Sequence, residues 1–97
     1  MVSTPEGLVK RKVKEVLREA GAWYFMTVTG GFGKSGVPDI VGIHKGRGFG
    51  IECKAGKGKL TTLQEWQLGL ITAAGGFPLV INETDGWTQL EEWLAHG

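Results

Sequence analysis

Three polar side chains interrupt two otherwise apolar stretches of this chain. Asp39 precedes Ile40-Val41, and Glu52 and Lys54 flank Cys53 after Phe49-Gly50-Ile51. A strand alternates its faces with period two, so Glu52 and Lys54 share one side while Ile51 and Cys53 take the other. The segment between the two stretches, His44-Lys45-Gly46-Arg47-Gly48, reads as a hairpin turn. Residues opposed across an antiparallel hairpin have a constant index sum. A turn centred between Lys45 and Gly46 places Asp39 opposite Glu52, with Cβ atoms about 4.5–5.5 Å apart. A turn one residue later pairs Asp39 with Lys54 instead. Either register gathers two carboxylates and an ammonium on one face.

Two carboxylates this close repel unless a cation joins them. Hard divalent ions such as Mg²⁺ take oxygen ligands and keep several waters. Asp39 and Glu52, with the main-chain carbonyl of Cys53, form such an oxygen set. An ion there would polarise a phosphate and acidify a water, and Lys54 would orient that water or offset charge developing on phosphorus. Phosphodiester hydrolysis uses these parts. The competing reading is a salt bridge in which Lys54 neutralises Glu52 or Asp39, since opposite charges commonly pair across strands. The apolar neighbours weigh toward function, because buried charge is costly without a partner or a purpose.

The elements that must position these residues follow from pattern. Ser3-Thr4-Pro5-Glu6 reads as a helix start, and Val9, Val13, Val16, Leu17 and Ala20 recur at helical spacing up to Gly21. Lys10, Arg11, Lys14 and Arg18 fall on its other faces. Trp23 to Thr29 reads as a strand and Gly30 to Gly36 as a glycine-rich loop. Asp39 to Ile43 and Phe49 to Lys54 read as the two hairpin strands. Thr61 or Thr62 caps a second helix reaching about Ala74, Phe77 to Asn82 is a fourth strand, and Thr84 or Asp85 caps a last helix. The order is α-β-β-β-α-β-α in one domain, 1–97, with no repeat or linker.

At 97 residues and 41% hydrophobic, the chain predicts one small core. No apolar run nears the ~20 residues a bilayer span needs, and Met1 to Lys12 lacks a signal-peptide core. One cysteine, Cys53, agrees with a reducing compartment. A cytoplasmic protein is expected. The net charge of +1 conceals a polarity. All 11 Lys and Arg lie at or before Lys59, against five acids there, whereas residues 60–97 hold five acids and no Lys or Arg. A basic half suits a polyanion such as nucleic acid. Lys34, Lys57 and Lys59 are candidate contacts to backbone phosphates, the alternative being solvated loop charges. His44 and His96 are each alone and expected at the surface. Cys53 is expected in the core, and Trp23, Trp66, Trp87 and Trp93 in the core or an interface rather than as base-stacking platforms. No zinc-type cluster or nucleotide-binding P-loop occurs.

Gly36-Val37-Pro38-Asp39, a short hairpin, Glu52-Cys53-Lys54, a Gly/Lys loop and Leu60-Thr61-Thr62-Leu63-Gln64 heading a helix together resemble a known pattern. It is the PD-(D/E)XK nuclease signature, in the form of the virus-type replication-repair nuclease (VRR-NUC) family, and the resemblance runs from about Glu6 to Asn82. It implies an α/β, restriction-endonuclease-like αβββαβ core with a central mixed sheet flanked by helices. It also implies a Mg²⁺- or Mn²⁺-dependent endodeoxyribonuclease, of the standalone kind found in phages and prophages, within a bacterial or phage-infected cell. Repair or recombination substrates such as four-way (Holliday) junctions are implied; the two matched cuts these need, and the small core, lead to the expectation of a homodimer. Under the resemblance Asp39 and Glu52 match the metal-binding acids, Lys54 the motif lysine, Glu6 an acid near the metal, and Gln64 the glutamine of the following helix. Gln67 departs from the apolar residue usual there, with Trp66 beside it as a substitute. Glu6 and Gln64 each have a second reading, since Ser3-x-x-Glu6 and Thr61-x-x-Gln64 are capping boxes. The reading from another class is a non-catalytic DNA-binding accessory module.

Overall fold

The computed structural model describes residues 4–27 and 36–96. Three helices flank one four-stranded sheet: α1 (Pro5–Ala20), β1 (Trp23–Met26), β2 (Ile40–His44), β3 (Arg47–Cys53), α2 (Thr62–Ala73), β4 (Phe77–Ile81) and α3 (Trp87–Ala95). The expected α-β-β-β-α-β-α order therefore holds. The strands lie in the order β1-β2-β3-β4, antiparallel except for the parallel β3–β4 pair. This mixed sheet is compatible with an αβββαβ core.

The β2–β3 hairpin turns on two residues, Lys45 and Gly46, both with positive φ (51° and 80°). That twist matches the right-handed twist of the strands it joins. The turn gives pairs Ile40–Ile51, Gly42–Phe49 and His44–Arg47, the register in which Asp39 faces Glu52. Alternation then sorts the sheet. One face carries Met26, Ile40, Phe49, Ile51, Cys53 and Ile81, and it meets Val9, Val13 and Leu17 of α1 and Leu90 and Leu94 of α3 in a single core. The other face carries Gly50 and Glu52 and is partly covered by α2. A side chain at Gly50 would collide with Ile71 of α2 and with Pro38. Its absence lets the helix approach β3.

Several expectations change. The first strand ends at Met26 rather than Thr29, and Val28 to Ser35 lie outside the described residues. Thr4 caps α1 by accepting from the Gly7 amide at 2.9 Å, so Glu6 is not the second half of a capping box. Ser3 lies outside the described residues. Neither Thr84 nor Asp85 caps α3. Gly86 does so without a side-chain bond, because Asn82 holds both side chains, donating Nδ2 to Asp85 Oδ2 at 3.2 Å and accepting from the Thr84 hydroxyl at 3.3 Å. His44 is buried, not at the surface. It lies on the core face below the end of α3, with Nε2 3.0 Å from the Leu94 carbonyl. Arg47, its register partner, donates to the Trp93 carbonyl at 2.8 Å and lies over the Trp93 ring. These two side chains supply partners to helix-terminal carbonyls that α3 itself leaves open. Trp87 and Trp93 pack against the core, but Trp23 and Trp66 are 63% and 57% exposed. Trp66 therefore does not take the packing role expected beside Gln67. No helix among the described residues is long and apolar enough to cross a membrane.

Candidate metal centre

Asp39 stands just before β2, one position beyond the Ile40–Ile51 pair. The Ile40–Ile51 pair has the hydrogen-bonded spacing set by the two-residue turn, so Asp39–Glu52 takes the closer, non-hydrogen-bonded spacing. Both acids are buried, at 6% and 3% exposure. The backbone holds Asp39 in place from two sides. Thr27 donates its amide to the Asp39 carbonyl at 2.9 Å and its hydroxyl to the Pro38 carbonyl at 2.6 Å. The Cys53 amide donates to Asp39 Oδ2 at 2.8 Å.

Pro38 leaves the Cys53 carbonyl without a partner on this side. Continued two positions past the Ile40–Ile51 pair, the register would bring Pro38 to Cys53, and a proline has no N–H to give to the Cys53 carbonyl. The N–H and C=O of one strand residue point to the same neighbour, so the Cys53 carbonyl is directed to the Asp39 side. Lys54 serves the opposite edge, donating its amide to the Ile81 carbonyl of β4 at 2.8 Å.

Glu52 is fixed from α2. The Thr61–Gln64 capping box is formed in both directions, at 2.9 and 3.1 Å. The same Gln64 side chain donates through Nε2 to Glu52 Oε2 at 3.2 Å. One side chain thus both caps α2 and contacts Glu52. Glu6 does not touch Glu52, but its charge is felt there. It pairs with Lys10 one turn along α1, at 3.7 Å. Lys10 also lies 3.6 Å from Asp39 Oδ1. Reading the sequence assigned Lys10 to another face. Its i,i+4 spacing from Glu6 was the available signal.

Burial is the largest cause that raises the Glu52 carboxyl from 4.5 to about 8, followed by the charge of Asp39 and a hydrogen bond to it; Lys54 opposes the rise. A cation between the two acids would relieve this repulsion. The donors available there are all oxygens, which suits Mg²⁺ or Mn²⁺. No group of three or more His, Cys, Asp and Glu side chains able to hold a metal occurs among the described residues. Two carboxylates, a main-chain carbonyl and waters would make up the shell, as is common for Mg²⁺. Burial likewise pushes the Cys53 thiol up to about 12, and the side chain is fully enclosed. Cys53 is a core residue.

Lys57 and Lys59 are exposed on the loop after β3. Glu83 restrains that loop by accepting from the Gly56 amide at 2.8 and 3.1 Å. Lys34 lies outside the described residues. No protein-family model, curated protein or solved structure matches the chain.

Proposed function

We propose that this protein is a Mg²⁺- or Mn²⁺-dependent endonuclease that hydrolyses DNA phosphodiester bonds. The observation that carries the reading is the buried Asp39–Glu52 pair, with Glu52 raised to about 8 and each acid held by a separate hydrogen bond. Lys10 lies 3.6 Å from Asp39, yet the Glu52 carboxyl stays raised. Here Lys54 only moderates a repulsion that burial and Asp39 dominate. A divalent ion, when bound, supplies a Lewis acid for the phosphate and acidifies water. Asp39 and Glu52 would hold it, with the Cys53 carbonyl as a third protein oxygen. The Lys54 ammonium orients the attacking water and offsets charge developing on phosphorus. Gln64 keeps the Glu52 carboxylate aimed. Lys57 and Lys59 contact backbone phosphates, and Lys34 is a further candidate. The sequence pattern resembling VRR-NUC nucleases points to branched DNA as substrate.

The test is cleavage of labelled four-way-junction, flap and plain duplex DNA with Mg²⁺ or Mn²⁺. The expected outcome is metal-dependent cutting, strongest on a branched substrate and lost in Lys54→Ala. DNA that is bound equally by both proteins but never cut would favour a non-catalytic accessory module.

Resolving a junction needs two matched cuts, which a two-fold dimer provides. The open half of the α2 face offers apolar surface for one. Trp23, Phe25 and Ile43 on the sheet and Leu63, Trp66 and Leu70 on α2 are all exposed. Exposed apolar area of this kind marks interaction surfaces. Light scattering after gel filtration should give a dimer mass for the wild type and a monomer for Trp23→Ser/Phe25→Ser. A wild-type monomer at concentrations where the protein acts would remove the dimer.

A further inference from the structure

We propose that Lys10 is a built-in counter-ion of the acidic site, which a divalent cation must displace in order to bind. The inference rests on the metal-site reading above and adds how that site is regulated. Asp39 has two oxygens, and the Cys53 amide occupies Oδ2. Oδ1 is the oxygen left for a cation, and the Lys10 ammonium stands 3.6 Å from it. The same ammonium stands 3.7 Å from Glu6 Oε1. Lys10 thus bridges two acids contributed by different elements, one on α1 and one at the start of β2. Glu52 draws instead on Lys54.

Two features make this ammonium a removable occupant. Both distances exceed the ~2.7–2.9 Å of a tight charge-assisted hydrogen bond, so charge holds it more than geometry does. Its side chain keeps 30% of its surface exposed, against 8% for Asp39, which leaves it a path to water. Lysine carries a compact charge on a flexible four-carbon stem, so it can leave without moving the helix. An ammonium and a divalent ion cannot share one carboxylate oxygen without strong repulsion. Lys10 therefore steadies the metal-free acids and sets a threshold for metal.

Calorimetric titration with Mn²⁺ tests this on wild type, Lys10→Met and Lys10→Arg. Methionine keeps the stem and the helix propensity while removing the charge. Lys10→Met should bind Mn²⁺ at least about tenfold more tightly than wild type, whereas Lys10→Arg should match wild type. Mn²⁺ should also raise the melting temperature of Lys10→Met by more than it raises that of wild type. Circular dichroism checks folding, and Lys10→Gln replaces Lys10→Met if the latter is misfolded. Equal or weaker binding by a folded Lys10→Met, with wild type binding Mn²⁺, overturns the proposal and leaves the metal site standing. Binding by Lys10→Met alone supports it. No binding by any of the proteins removes the metal site itself, and the proposal with it.

Discussion

Glu52→Gln should abolish metal-dependent DNA cleavage and yet yield a more heat-stable protein at pH 8. The loss follows from the ion-holding role. Glutamine is isosteric and still accepts a bond from Gln64, but it carries no charge to bind a divalent ion. A fall of at least roughly 10²–10³-fold in turnover is expected, the scale seen when one preorganised electrostatic group is removed. The gain in stability has a separate origin. Glu52 is 3% exposed and faces Asp39, so its ionised form is unfavourable without a cation. The neutral amide avoids that cost. Single-turnover cleavage and thermal melting of the same two preparations check both halves. A variant that is inactive because it is unfolded would contradict the account.

The metal-free wild type should lose stability as pH rises from about 5 to about 8. The Glu52 carboxyl is raised from 4.5 to about 8 in the folded chain. Between those values the folded state keeps a proton that the unfolded state has released. The unfolded state then binds fewer protons, so stability falls with rising pH and levels off above the folded value. The stabilisation is full below 4.5 and lost by about 8. A loss on the order of a few kcal/mol is expected for one buried carboxyl shifted this far. That corresponds to a drop in melting temperature of roughly 10–25 °C for a domain of this size. Glu52→Gln should flatten this part of the profile, and Mg²⁺ should restore the wild type at pH 8. Melting in EDTA across this range, with and without the substitution, is the check. A wild-type stability that rises from pH 5 to pH 8 by the amount Glu52→Gln removes would show a depressed carboxyl and refute the assigned environment.

The hairpin was legible because a two-residue Lys45-Gly46 turn fixes every pair that follows from it. Asp39 opposite Glu52 is a consequence of counting, and so is Cys53 on the core face. The burial of His44 could have been read from the same register, which puts it on the side of Ile40 and across from Arg47. It was missed because a histidine beside a turn looks like a surface residue until α3 is laid over it. Lys10 was less accessible. Its approach to Asp39 depends on the roll of α1 against the sheet, and Val9, Val13 and Leu17 fix that only once the sheet exists. Trp66 is exposed because the less exposed side of α2 runs through Gln64, Gln67, Leu68 and Ile71, which leaves it on another face. The start of α3 is hidden from the sequence because the Asn82 amide, two residues ahead of Thr84, engages the Thr84 hydroxyl and the Asp85 carboxylate that would otherwise serve as caps.

The most direct test of the account is Mn²⁺ calorimetry on the wild type beside the double variant Asp39→Asn/Glu52→Gln. The account predicts saturable binding to the wild type and none to a folded double variant. Undiminished binding by the double variant, or none by the wild type at millimolar Mn²⁺, would contradict it and leave the two acids as a structural pair.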